Sequence, residues 1–132
     1  MRQSDPRPLS PHLQVYRPML TMALSIIHRI TGSALYFGSA LLAWWVFAAA
    51  MGPEAYATFQ SVAASLPGQV ILFGFTWALV HHLIGGLKHL VWDTGRGFDL
   101  VTVERMARLS VAASVTITLV IWAVVLFSGG NP

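Results

Sequence analysis

The chain of 132 residues is 55% hydrophobic and only 10% charged, with a net charge of +3 and no cysteine. Soluble domains carry roughly 25% charged residues, and so short a chain cannot bury this much apolar surface in its own core, so its expected solvent is lipid. The lack of cysteine excludes disulfides, thiolate metal sites and cysteine nucleophiles, and the Lys and Arg residues form no cluster or stripe that would bind nucleic acid.

Residues 1–24 form a polar to mixed leader with prolines at Pro6, Pro8, Pro11 and Pro18. No apolar run near the start marks a secretory signal, and the leader lacks the length and the Arg and Ser content of a transit peptide. It is expected to lie at the membrane surface or against a partner. Residues 30–53 hold no charge and, with the residues leading into them, predict a first helix over about 25–51. That exceeds the roughly 20 residues needed to span the hydrocarbon layer. Gly52-Pro53 ends it. Residues 54–66 read as an external loop or surface helix. Pro67-Gly68 opens a second helix, about 67–92, and the polar stretch 93–108, with Gly95 and Gly97, predicts a loop. Residues 109–128 are uncharged and predict a third helix over about 106–128. Their Val, Ile and Thr content does not argue for a strand, because an isolated strand in lipid leaves its backbone groups unpaired.

The predicted fold is an all-α membrane protein with three transmembrane helices. Arg2, Arg7, Arg17 and Arg29 lie on the leader side, and Lys88, Arg96, Arg105 and Arg108 flank the second loop. Three spans place all of these at one membrane surface. The positive-inside rule then predicts the N-terminus inside, in the cytoplasm of a bacterium or the matrix of a mitochondrion, and the C-terminus outside.

Polar residues at membrane depth are functional by default. On the second helix His82, Gly85, Gly86, His89 and Asp93 share one face. The glycines leave a groove in which a flat group or another helix can approach the backbone. An imidazole with space beside it suits an axial haem ligand; packing glycines and a hydrogen-bonded His82 are the alternative. His81 points about 100° away and reads as a hydrogen-bonded histidine that ligates nothing. On the first helix Ser25, His28, Arg29 and Gly32 also share a face. Ser25 and Arg29 can both reach a small polar head such as a quinone carbonyl, and Arg29 can also pair with haem propionates. The alternative is that Arg29 snorkels to lipid phosphate while His28 sits at the interface. Both polar faces lie toward the inside, so they are expected to line one shared cavity.

The leader and first helix read Arg7-Pro8-Leu9-Ser10-Pro11-His12-Leu13 and then Ser25-Ile26-Ile27-His28-Arg29-Ile30-Thr31, and the second helix carries His82, Gly86, His89, Trp92-Asp93 and Gly95. Together these resemble the cytochrome b556 family, the larger membrane anchor of succinate dehydrogenase (respiratory complex II), over the whole chain. The resemblance implies a haem b held between two membrane subunits, with His82 as one axial ligand of the iron and the other supplied by a second anchor subunit. It implies a ubiquinone site at Ser25 and Arg29, next to an iron–sulfur subunit. It places His28, Arg29 and His89 near the haem propionates. It also implies a flavoprotein subunit, with the leader packed beneath the soluble subunits, and a chain that catalyses nothing alone. The expected location is a bacterial inner membrane, ahead of a mitochondrial one. One departure is Lys88, where the family usually has Arg. It keeps the charge, loses the bidentate fork, and is expected off the haem face, toward lipid phosphate or the partner. The competing readings are the anchor of a fumarate reductase or menaquinone-linked enzyme, and a non-redox small membrane protein whose histidines only pack.

Overall fold

A computed structural model describes residues 16–128. The prolines Pro6, Pro8 and Pro11, the cations Arg2 and Arg7, and the expected docking of the leader up to residue 15 lie outside the described residues. The elements are α1 (Leu20–Met51), α2 (Pro53–Ala63), α3 (Leu66–Asp93) and α4 (Leu100–Phe127), with no strand among the described residues. By length and composition α1, α3 and α4 are each able to cross a membrane. At 1.5 Å per residue the 32 residues of α1 extend about 48 Å, well beyond a hydrocarbon layer of about 30 Å.

α3 is the central element, packed on α1 on one side and α4 on the other. α3 runs antiparallel to both neighbours: His82 meets His28 and Phe75 meets Gly38 on α1, while His81 meets Ser114 and Thr76 meets Trp122 on α4. The α3–α4 seam is built from small hydroxyl residues. Ser110, Ser114 and Thr118 are buried, and each returns its hydroxyl to its own helix, at the carbonyls of Ala107, Val111 and Ser114. This lets two helices approach closely in lipid without unpaired polar atoms. Trp122 Nε1 donates to Thr76 Oγ1 across the same seam at 3.3 Å.

The breaks follow from local chemistry. Gly52 has φ 112°, a conformation that glycine adopts without strain, and Pro53 opens α2 where its missing N–H has no helical partner to lose. Ser65 caps α3 by accepting from the Gly68 N–H at 3.2 Å. The stretch 54–66 is thus largely the surface helix α2.

Two helix starts differ from the sequence expectation. α1 begins at Leu20, before the polar face at Ser25, because only Pro18 interrupts the helix-forming residues there. α4 begins at Leu100, so residues 100–105, expected in the loop, are helical. Asp99 accepts from the Thr102 N–H at 2.9 Å and starts the helix, and Glu104 and Arg108 pair one turn apart on its exposed face. The charges that read as loop belong to a helix that continues past the apolar layer.

Hydrogen bonding from Thr102, through its hydroxyl and its backbone N–H, holds the Asp99 carboxyl below the ordinary carboxylate range. A depressed carboxylate contributes stability above its unfolded pKa and loses it as the pH falls through the folded one. The cap is therefore complete at neutral pH and is lost only in acid. Asp99→Ala is expected to speed amide hydrogen exchange at Thr102 and Val103, and Asp99→Asn to retain protection into acid. Unchanged exchange in the alanine variant would show that the cap does not hold this turn.

Candidate functional site

Two imidazoles lock α1 to α3. The rings of His28 and His82 stack with centroids 4.0 Å apart and planes within 4°. Each ring is seated on a glycine of the opposite helix. A Cβ on Gly32 would lie 2.9 Å from His82 Cε1, and one on Gly85 would lie 2.5 Å from His28 Nδ1. Neither ring would fit against alanine without shifting. The groove expected at Gly85 is therefore filled by His28, whereas a Cβ on Gly86 would meet nothing within 4 Å. Gly86, one turn after His82, therefore keeps open space above it.

Hydrogen bonding fixes the tautomer of His82. Its Nδ1 lies 3.1 Å from the His28 carbonyl and 3.4 Å from Thr31 Oγ1. A carbonyl only accepts, and the Thr31 hydroxyl already donates to the same carbonyl at 2.9 Å. Nδ1 therefore carries the hydrogen, and Nε2, which has no hydrogen-bond partner among the described residues, presents its lone pair. A histidine whose one ring nitrogen donates to a backbone carbonyl while the other stays bare has the usual arrangement of a metal ligand. Thr31, only 2% exposed, completes this arrangement.

His81 turns the other way, as expected. It is 3% exposed, its Nδ1 lies 3.2 Å from Ser114 Oγ, and its ring stacks on Trp77 at 5.2 Å. The Ser114 hydroxyl donates to the Val111 carbonyl, so it accepts from His81. His81 thus ties α3 to α4 while its neighbour His82 faces α1.

Below the histidine stack lies a cavity of about 150 Å³, bordered by Ser25 and His28 from α1 and by Gly85, Lys88, His89 and Trp92 from α3. The structure therefore brings together Ser25, His28, His82 and His89, with the rings of His28 and His89 5.4 Å apart. Arg29 is exposed at the edge of this group and does not border the cavity. Asp93 is exposed at the end of α3. Lys88 departs from the sequence expectation. It is half-buried, and its ammonium lies over the Trp92 ring, 5.0 Å from the centroid, so it borders the cavity.

Among the described residues no group of three or more His, Cys, Asp or Glu side chains is set to hold a metal ion. His82 offers one donor only. That suits a metal whose other positions are filled by a macrocycle and by a ligand from elsewhere.

A profile of the family described as succinate dehydrogenase/fumarate reductase transmembrane subunit matches residues 3–121. The chain belongs to this family. It is 45% identical over 111 residues to the succinate dehydrogenase cytochrome b556 subunit of Paracoccus denitrificans, covering 84% of this chain and 85% of that one. It is 38% identical over 116 residues to the cytochrome b556 subunit of Rickettsia bellii, covering 88% and 90%. It is also 37% identical over 99 residues to the mitochondrial cytochrome b560 subunit of Sus scrofa, covering 71% of this chain and 57% of the relative.

Sequence reasoning passed over Thr31, Ser114 and Trp92 as site residues. Ser110, Ser114 and Thr118 do recur every fourth residue in an apolar helix, which marks a packed face. Nothing in the linear pattern pairs Ser114 with His81. Nitrogen-15 NMR of the histidine-labelled chain, prepared without haem, should show both His81 and His82 as Nδ1–H tautomers. An Nε2–H form at His82 would contradict the geometry that exposes Nε2.

Proposed function

We propose that this chain is the haem-binding membrane anchor of a succinate dehydrogenase, and that it helps form the site where ubiquinone is reduced. The observation that carries the reading is His82. Its Nδ1–H is held by the His28 carbonyl, which leaves Nε2 bare, and Gly86, one turn further along the same helix face, has open space above it. His82 Nε2 would hold the iron of a haem b, with a second anchor subunit supplying a further ligand. The cytochrome b subunit names of the relatives support the same assignment. Haem b supplies one-electron chemistry tuned by its axial ligands and their hydrogen bonds.

The remaining roles follow from position. Thr31 and the His28 carbonyl fix the His82 ring. Gly32 and Gly85 let the two helices close around it. His28 and His89 face the cavity as partners for the propionates. Ser25 borders the same cavity and hydrogen-bonds the quinone head. Arg29, exposed at its edge, is placed to hold negative charge that develops on a quinone oxygen or to pair with a propionate carboxylate. Such a charge-assisted contact is strong where water is excluded.

Antiparallel packing gathers Arg17, Lys88, Arg96, Arg105 and Arg108 at the histidine end of the bundle. By the positive-inside rule this end faces the cytoplasm of a bacterium, with the chain in the inner membrane. The iron–sulfur and flavoprotein subunits then dock there, and succinate oxidation takes place on them. This chain by itself is not catalytic.

The assembled complex is expected to show a reduced-minus-oxidised b-type band that His82→Ala abolishes; a band that survives this change would remove His82 as ligand. Arg29→Ala is expected to lower quinone reduction about tenfold or more, the worth of a charge-assisted hydrogen bond. Succinate oxidation with a soluble dye should persist. Equal loss of both activities would assign Arg29 to assembly rather than to quinone.

A further inference from the structure

Trp92 lies at the inner end of α3, one turn beyond Lys88, and borders the cavity with Ser25, His28 and His89. Its indole Nε1 is buried and has no hydrogen-bond partner among the described residues. An indole nitrogen is a donor only, and a buried donor without an acceptor is costly enough to call for an explanation. Interfacial tryptophans ordinarily turn this edge toward water and head groups. Trp92 instead keeps it covered.

The ring is also held in place. The Lys88 ammonium sits over it at 5.0 Å, Phe98 stacks on it at 6.3 Å, and His89 meets it edge to face at 5.2 Å. The loop that presents Phe98 turns at Gly97, φ 78°, where a Cβ would come within 3.8 Å of Trp92 Cδ1. A donor clamped from several sides is preorganised for a ligand. The facing wall carries a second buried and unpaired nitrogen, His28 Nδ1. His28, His89 and Lys88 also border the cavity, and no carboxylate does. What such a lining lacks is an oxygen acceptor, preferably one that bears or develops negative charge.

We propose that the Trp92 indole N–H, with Lys88 over its ring, is a binding group of this site and donates to a ligand oxygen that enters between His28 and His89. This rests on the haem and quinone reading above. The oxygen is then either a haem propionate carboxylate or the carbonyl of the quinone head. Lys88 belongs to the site through its charge, which favours a negative oxygen there and makes the indole beneath it a better donor. Arginine at this position would bring a flat fork instead of a point charge.

The test uses the assembled complex with Trp92→Phe, which keeps a ring under Lys88 and removes the N–H. If the oxygen is a propionate, the haem midpoint potential falls, because a less neutralised carboxylate favours the ferric state, and KM for ubiquinone stays unchanged. If it is the quinone carbonyl, KM rises about fivefold, the worth of one hydrogen bond, with the potential and the succinate–dye activity unchanged. A complex that keeps its b band and moves neither quantity overturns the role of Trp92 and leaves the haem reading intact. A wild-type complex with no b band overturns the haem reading itself. Should Trp92→Phe fail to assemble, Lys88→Gln and Lys88→Arg decide the matter. The glutamine variant is expected to lower the potential or raise KM and the arginine variant to restore it, whereas an unmoved Lys88→Gln complex overturns the proposal.

Discussion

The hydrogen bond from His82 Nδ1 to the His28 carbonyl is the contact on which the site depends. It joins the backbone of one membrane helix to a side chain of the next, in surroundings where an unpaired polar atom is expensive. It sets the tautomer of His82 and so leaves Nε2 as the bare ring nitrogen. It can form only because each helix gives up a side chain where the other's imidazole lands, at Gly32 beneath His82 and at Gly85 beneath His28. Four residues on two helices thus define one another's positions. Neither helix alone would hold its histidine in this orientation.

The rest of the bundle supports that seam. α3 carries adjacent histidines that point to opposite sides, as a helix requires of neighbouring residues. His81 is tied to Ser114 on α4, and His82 is tied to α1. α3 is thereby fixed in rotation by hydrogen bonds on both flanks. The hydroxyl seam along α4 and the Trp122–Thr76 bond extend this control away from the site. In lipid, where association between apolar surfaces gives little, close packing and such polar contacts are what set helix rotation.

The same economy shapes the histidine end of the bundle. Cations that would be costly at mid-membrane gather where α1 begins, α3 ends and α4 begins. They leave a small cavity with nitrogen donors on its walls and no acid. Lys88 shows how context decides a side chain's role. Counting angles around an ideal helix put it off the haem face, but a lysine stem is long enough to fold over the neighbouring indole.

The sequence by itself determined the all-helical class, the three apolar spans and the residues of the polar faces, because hydrophobic length and helical periodicity are local properties. It also brought out the motifs that tie the chain to the succinate dehydrogenase/fumarate reductase transmembrane family. Charge misled it at the start of α4, where a cap at Asp99 carries the helix past the apolar layer. Only the tertiary structure decided which glycine is a groove and which a seat, since Gly85 and Gly86 differ only in what stands opposite them. It likewise decided the pairing of His81 with Ser114, the tautomer of His82 and the unpaired indole of Trp92. Each of these depends on the rotation of one helix against another, and that rotation is set by contacts between residues distant in the chain.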